Sequence, residues 1–183
     1  DGSSWDSERV EDVITHEDIK NAHIGNIVSK LNQLDFDGVI IDYEEADPFL
    51  KDDFSSFIKS LSEVLHRNNK LLAVALHPKN NVSDRGNGAF QDWEALAQHA
   101  DQLNIMAYGE HWDESNAGPI ASLGWVEKII GYTKQLNINP QKFILGIPLY
   151  GYDWNKDHGE AAQGLTYKDI QNLRDKLMTA QET

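Results

Sequence analysis

The sequence contains no cysteine, which excludes a disulfide, a thiolate nucleophile and any zinc or iron–sulfur site built on sulfur ligands. Positive charge is scarce: 16 Lys and Arg stand against 30 Asp and Glu, a formal net charge of −14. Such a chain repels both a phosphate backbone and an anionic membrane surface, so nucleic acid and membrane are set aside as partners. No apolar run approaches the roughly 20 residues of a membrane-spanning helix. No GxxxxGK(S/T) or GxGxxG sequence follows an apolar run, which sets aside a phosphate-binding α/β protein. Methionine is nearly absent too, with two in the chain, and the first is Met106. The sequence therefore reads as a processed product or an excised piece, with any signal segment upstream of it and the compartment unread.

What is present suffices for a folded domain: 183 residues, 40% hydrophobic and 9% aromatic. Four short apolar runs recur with amphipathic stretches between them. They are Gly38 to Asp42, Leu71 to Leu76, Leu103 to Tyr108 and Phe143 to Ile147. Nearly continuous hydrophobicity over a few residues suits strands covered on both faces, and the alternation predicts βα units in a parallel sheet. Helical spacing is clear in Ile24, Ile27, Val28, Leu31 and Leu34, in Phe54, Phe57, Ile58, Leu61, Val64 and Leu65, and in Trp125, Val126, Ile129, Ile130 and Thr133. A shorter stripe runs from Trp93 to Ala100, and a last one from Tyr167 to Leu177 with Thr166 as its N-cap. Lys79 to Gly88 and Tyr108 to Ser122 are polar loops, the second beyond a strand's carboxyl end, where α/β folds build their sites. The chain reads as one unit over 1–183, loosely ordered up to about His16.

The most informative segment is Asp37-Gly38-Val39-Ile40-Ile41-Asp42-Tyr43-Glu44. Along a strand Ile40, Asp42 and Glu44 share one face, and Val39, Ile41 and Tyr43 the other. Two carboxylates that close do not both ionise cheaply, so one keeps its proton toward neutral pH, as a general acid must. The plainer alternative is a pair of acids entering a solvated loop, the reading given to Glu45 and Asp47 before Pro48. Spacing alone leaves these two readings of Asp42 and Glu44 evenly balanced.

This segment resembles the DGxDxDxE strand-four signature of family 18 glycoside hydrolases. The resemblance continues through Leu103-Asn104-Ile105-Met106-Ala107-Tyr108, Gly118-Pro119-Ile120-Ala121 and Gly146-Ile147-Pro148-Leu149-Tyr150-Gly151-Tyr152-Asp153-Trp154, in the order and spacing of that family's strands four, six and seven. It covers about Ile24 to Leu177 and is nearest the bacterial branch containing spore cortex-lytic glycosidases. It implies a (β/α)8 barrel of which about four βα units, the fourth to seventh, are present, since a complete barrel needs roughly 250 residues. Four strands do not close, so open sheet edges and self-association through them are expected.

The implied reaction is retaining hydrolysis of β-1,4-linked N-acetylglucosamine polymers, chitin or peptidoglycan glycan, with the substrate's own acetamido oxygen as nucleophile and no metal or organic cofactor. Glu44 is then the acid that protonates the leaving oxygen, Asp42 orients the acetamido group, and Tyr108 hydrogen-bonds its carbonyl. Met106, Glu110, His111, Trp112, Tyr150 and Trp154 are the expected substrate-binding residues, the aromatics because a sugar's C–H face suits a ring with a polar handle. The resemblance also suggests a secreted or cell-envelope protein. Two positions depart from the family pattern: Ile40 replaces the middle acid of the signature, and Gly109 stands where an Asp often follows the strand-six tyrosine. With Ile40 in place, Asp42 is expected to stay ionised and to raise the pKa of Glu44. These departures favour the alternative of an inert chitinase-like carbohydrate-binding protein. His77, His99, His111 and His158 show no metal-ligand spacing; His111 is placed at the cleft and the others on loops or surface, as are Asp153 and Asp157.

Overall fold

The computed structural model describes residues 7–81, 86–154 and 161–181. Ser83 and Asp84 of the first polar loop, and Asp157 and His158, lie outside the described residues. In chain order the elements are α1 (Ser7–Thr15), α2 (Glu17–Leu34), β1 (Gly38–Ile41), α3 (Lys51–Arg67), β2 (Leu71–Leu76), α4 (Trp93–Ala97), β3 (Gln102–Ile105), α5 (Leu123–Thr133), β4 (Phe143–Leu145), β5 (Tyr150–Asp153), β6 (Gln163–Thr166) and α6 (Tyr167–Gln181). The chain falls into two compact units, Asp1–Met106 with Lys128–Leu145, and Ala107–Glu127 with Gly146–Thr183.

In the first unit β1, β2, β3 and β4 form a four-stranded sheet in that order, every pair parallel. The register aligns Ile41 with Val74, Val74 with Leu103 and Leu103 with Phe143, so one side-chain row runs across all four strands. That row faces the helices: Ile41, Leu72, Val74, Leu76, Leu103 and Ile105 are buried, and so are Phe54, Phe57, Ile58, Leu61 and Leu65 of α3. The i, i+3, i+4, i+7 spacing of α3 turns one apolar stripe onto the strands, and each such side chain contributes about 1.5–3 kcal/mol on leaving water. The opposite face holds Ile40, Ala73, Ala75, Asn104 and Ile144. There Ile40 is 55% exposed and Ile144 42%, and a cleft of about 170 Å³ opens over Gly38, Ile40, Leu71, Ala73 and Gln102. Gly38 is required where β1 meets β2, because a Cβ there would lie 2.3 Å from the Leu71 carbonyl oxygen.

The start of the chain differs from expectation. Ser7–Thr15 is a helix with Ile14 only 1% exposed, so the loosely ordered start is corrected for those residues. Val10, Val13 and Ile14 share one face of α1, the isoleucine buried and the valines half-buried, an apolar stripe of little more than one turn among acidic residues.

In the second unit β5 and β6 form an antiparallel hairpin pairing Tyr150 with Thr166 and Tyr152 with Gly164. Thr166 opens α6 as expected, through a capping box: its Oγ1 accepts the Asp169 N–H at 3.3 Å, and the Asp169 carboxylate accepts the Thr166 N–H at 3.0 Å.

Between the two carboxylates at the end of β1, Tyr43 points back toward the helices. Its ring stacks on Phe57 at 5.8 Å and 13°, and its hydroxyl lies 2.8 Å from His23 Nε2 on α2. Burial pushes the Tyr43 hydroxyl up to about 12 and pushes the His23 imidazole down, so at neutral pH a neutral phenol and a neutral ring share this hydrogen bond, with the ring's tautomer setting which one donates. Tyr43→Phe should cost about 0.5–1.5 kcal/mol in urea unfolding, the net worth of one hydrogen bond. Because His23 binds its proton less readily folded than unfolded, its contribution is complete above its ordinary pKa of about 6.5 and is lost as pH falls below it. The thermal midpoint of His23→Gln should accordingly fall less than the parent's between about pH 7 and about pH 5.

Candidate active site

β1 ends at Ile41, and residues 42–47 continue without helix or strand pairing. The alternation of the strand persists far enough to keep Ile41 and Tyr43 inward while Asp42 stays exposed and Glu44 half-buried. Burial pushes the Glu44 carboxyl above the ordinary carboxylate range; the charge on Asp42 adds to this, His77 works against it, and Glu45 adds a little more. The expected push from Asp42 is thus present, but desolvation is the larger cause. A carboxyl whose affinity for its proton is raised, beside a second and exposed acidic side chain, is the arrangement an acid–base site needs.

His77 is among the histidines expected on a loop or the surface. It is half-buried directly after β2, and its Nε2 lies 2.7 Å from the main-chain oxygen of Glu44. The available signal was its position: a histidine immediately following an apolar strand sits at the carboxyl edge of the sheet. Met106 also lies at this edge, its N–H donating to Leu76 O at 2.9 Å and extending the ladder one residue past β3.

The remaining expected residues belong to the second unit. Tyr108, Tyr150, Tyr152 and Trp154 form a chain of edge-on rings, with centroid distances of 6.2, 5.8 and 5.6 Å. Tyr150, Tyr152 and Trp154 alternate along one face of β5 and its end, which is why every second residue is aromatic. Burial pushes the Tyr150 hydroxyl up, with Tyr152 and Tyr108 adding to it. Trp154 is half-buried, and its Nε1 has no hydrogen-bond partner among the described residues. Trp112, by contrast, is 52% exposed.

The loop from Ala107 to Ser122 is closed by its own side chains. The Glu110 carboxylate accepts the Ser122 N–H at 2.6 Å and the Ser122 hydroxyl at 2.9 Å. Ser122 in turn caps α5 by accepting the Trp125 N–H at 3.3 Å. Glu110, expected among the substrate-binding residues, thus has both oxygens engaged in pinning the loop to a helix start. His111 Nδ1 lies 2.8 Å from Pro119 O, and its ring fills the space over Gly118, where a Cβ would come within 2.4 Å. Gly109 adopts φ +83° with open space around it. Its departure from the family pattern therefore coincides with a left-handed turn that favours glycine.

The family model for glycosyl hydrolases family 18 matches residues 2–182. The chain belongs to that family. Among its relatives, the glycosylase YvbX of Bacillus subtilis is 23% identical over 170 residues, 92% of this chain and 49% of YvbX. The cortical fragment-lytic enzyme of Bacillus anthracis is 27% identical over 137 residues, 74% of this chain and 31% of that enzyme. The crystal structure of a chitinase from Chromobacterium violaceum superposes with TM-score 0.85 at 29% identity, covering 96% of this chain and 55% of the chitinase. The chain thus spans half or less of these two relatives' lengths. The family fold is a (β/α)8 barrel, of which the four parallel strands are a part.

Two glycine substitutions separate backbone strain from steric clash in the loop. Gly109→Ala should cost about 1–2 kcal/mol through its positive φ alone. Gly118→Ala should destabilise by displacing the His111 ring, and that loss should largely vanish in a His111→Gly background, as a double-mutant cycle by thermal unfolding would read.

Proposed function

We propose that the protein to which this chain belongs hydrolyses β-1,4 bonds beside N-acetylglucosamine in chitin or peptidoglycan glycan. The observation that carries this is Glu44: a half-buried carboxyl with a raised pKa, next to the charge of Asp42, at the end of the first strand of a family 18 sheet. The Bacillus anthracis relative is named for cortical fragment lysis and the Chromobacterium violaceum neighbour is a chitinase, which supports a glycan substrate.

In this reading the Glu44 carboxyl gives its proton to the glycosidic oxygen as the C1–O bond breaks. The substrate's acetamido oxygen bonds to C1 from the opposite face, forming an oxazolinium ion. The Glu44 carboxylate then takes a proton from water as that water attacks C1 and reopens the ring, so configuration is retained. Asp42 orients the acetamido group and stabilises the positive intermediate. Tyr108 hydrogen-bonds the acetamido carbonyl. Met106, Trp112, Tyr150 and Trp154 offer apolar and aromatic surface to sugar faces, with His111 beside them, and Glu110 serves by holding the loop that carries Trp112 and His111.

Cleavage of a fluorogenic N-acetylglucosamine oligomer is the test. Glu44→Gln should abolish hydrolysis and keep sugar binding, because the amide preserves shape without an acidic proton. Asp42→Asn should lower kcat by about 10²-fold or more. It should also move the basic limb of the kcat/KM profile to lower pH, since removing the neighbouring negative charge lowers the Glu44 pKa. Equal hydrolysis by the parent and Glu44→Gln would overturn the assignment of the acid.

A second reading, an inert carbohydrate-binding protein, is favoured by Ile40, an exposed apolar side chain where the family signature carries an acid. Oligomer binding by the folded parent without any cleavage would decide for it.

A further inference from the structure

Among the described residues the imidazole of His77 ties the loop after β2 to the end of β1, and His77 is itself held through its main-chain N–H and packed at its Cβ. His77 Nε2 faces the main-chain oxygen of Glu44 at 2.7 Å. A carbonyl only accepts, so Nε2 carries the proton and donates it. Behind the ring, the His77 main-chain N–H donates to Gln91 Oε1 at 2.8 Å, and Gln91 Nε2 donates to the carbonyl of Ala75 at 3.0 Å. Gln91 is fully buried. Its side-chain amide takes the N–H and the C=O that a neighbouring strand would otherwise take, and so fixes the direction in which the chain leaves β2.

Lys79 Nζ donates to the main-chain oxygen of Gln91 at 2.5 Å. On the remaining side a short 3₁₀ turn, Asn87–Phe90, passes so close that a Cβ on Gly88 would lie 2.6 Å from His77 Cβ. Phe90 anchors that turn, fully buried and edge-on to Phe54 at 5.0 Å and 69°. The imidazole is therefore built into the scaffold, whereas Glu44, in the unpaired stretch 42–47, has no helix or strand ladder of its own.

We infer that His77 is the positioning residue for Glu44: by donating Nε2–H to the Glu44 carbonyl it fixes the peptide from which the carboxyl is aimed, and Gln91 and Gly88 fix His77. The inference rests on the reading of Glu44 as the acid, and it adds to that reading the group that sets the acid's geometry. Rigid placement of this kind matters because a misplacement of about 1 Å at a reacting group can cost about 10²-fold in rate.

The test compares His77→Leu, which keeps bulk and removes the donor, with His77→Gln, whose amide N–H can reach the same carbonyl. In the parent chain, ¹⁵N spectra of His77 should show the Nε2–H tautomer. In His77→Leu the ¹³C signals of the Glu44 carbonyl and carboxyl should shift, and in His77→Gln they should return toward the parent's. In the hydrolysis assay His77→Leu should lose about 10–100-fold in kcat with KM nearly unchanged, and His77→Gln should recover most of the loss.

Gly88→Ala, which displaces His77 without removing any polar group, should move the same signals and kcat in the same direction, and it serves if His77→Leu does not fold. Unchanged Glu44 signals in His77→Leu or Gly88→Ala would overturn the inference whether or not sugar is cleaved. Failure of His77→Gln to restore them would do the same. A parent that cleaves nothing while its Glu44 signals respond as expected would instead remove the acid role of Glu44 and leave the His77 hold on it intact.

Discussion

The geometry at the end of β1 depends on Tyr43 being driven inward. A strand that has run out of partners has no hydrogen-bond ladder to keep its phase, yet the proposed mechanism requires Asp42 and Glu44 to leave the backbone on the same side. The ring between them supplies that phase. Stacked on Phe57 and bonded to His23, it is held by the same buried cluster that joins α3 to the sheet. The two flanking side chains have only the opposite direction available. An apolar core contact thus decides the orientation of two polar groups.

In both units the protein uses backbone-directed side chains where regular structure stops. Gln91 completes the hydrogen bonding of β2, His77 reaches the carbonyl of Glu44, and Glu110 closes the following loop onto Ser122. Each is polar, at least half-buried and near a strand's carboxyl end, and each satisfies main-chain donors or acceptors that the fold would leave open.

Much of the fold was legible in the sequence because parallel strands buried on one face and flanked by amphipathic helices leave strong periodic signals. β1, β2 and β4 lie within their apolar runs and β3 starts one residue before its run, at Gln102, and α2, α3 and α5 carry the expected stripes. The β5–β6 hairpin was not legible as a hairpin: Tyr150 to Asp153 mixes glycine and acid with its aromatics, and its partner Gln163 to Thr166 is too short to show alternation. α1 did not stand out because its stripe of Val10, Val13 and Ile14 spans little more than one turn of an acidic segment. At the candidate site, the pairing of Asp42 with Glu44 follows from strand alternation. His77 did not emerge, since its hydrogen bond joins residues 33 positions apart, a relation that periodicity does not encode. Nor did the loop-closing use of Glu110, which depends on where Ser122 lies after the chain has turned.

The sheet has one further property. Each strand pairs with the strand that precedes it in the chain, from β1 through β4, with a helix formed between β1 and β2 and another between β2 and β3. Assembly therefore has a direction that matches synthesis. Within these four strands each new one meets the edge left by the one before it, and among the described residues the outer edges of β1 and β4 carry no partner strand.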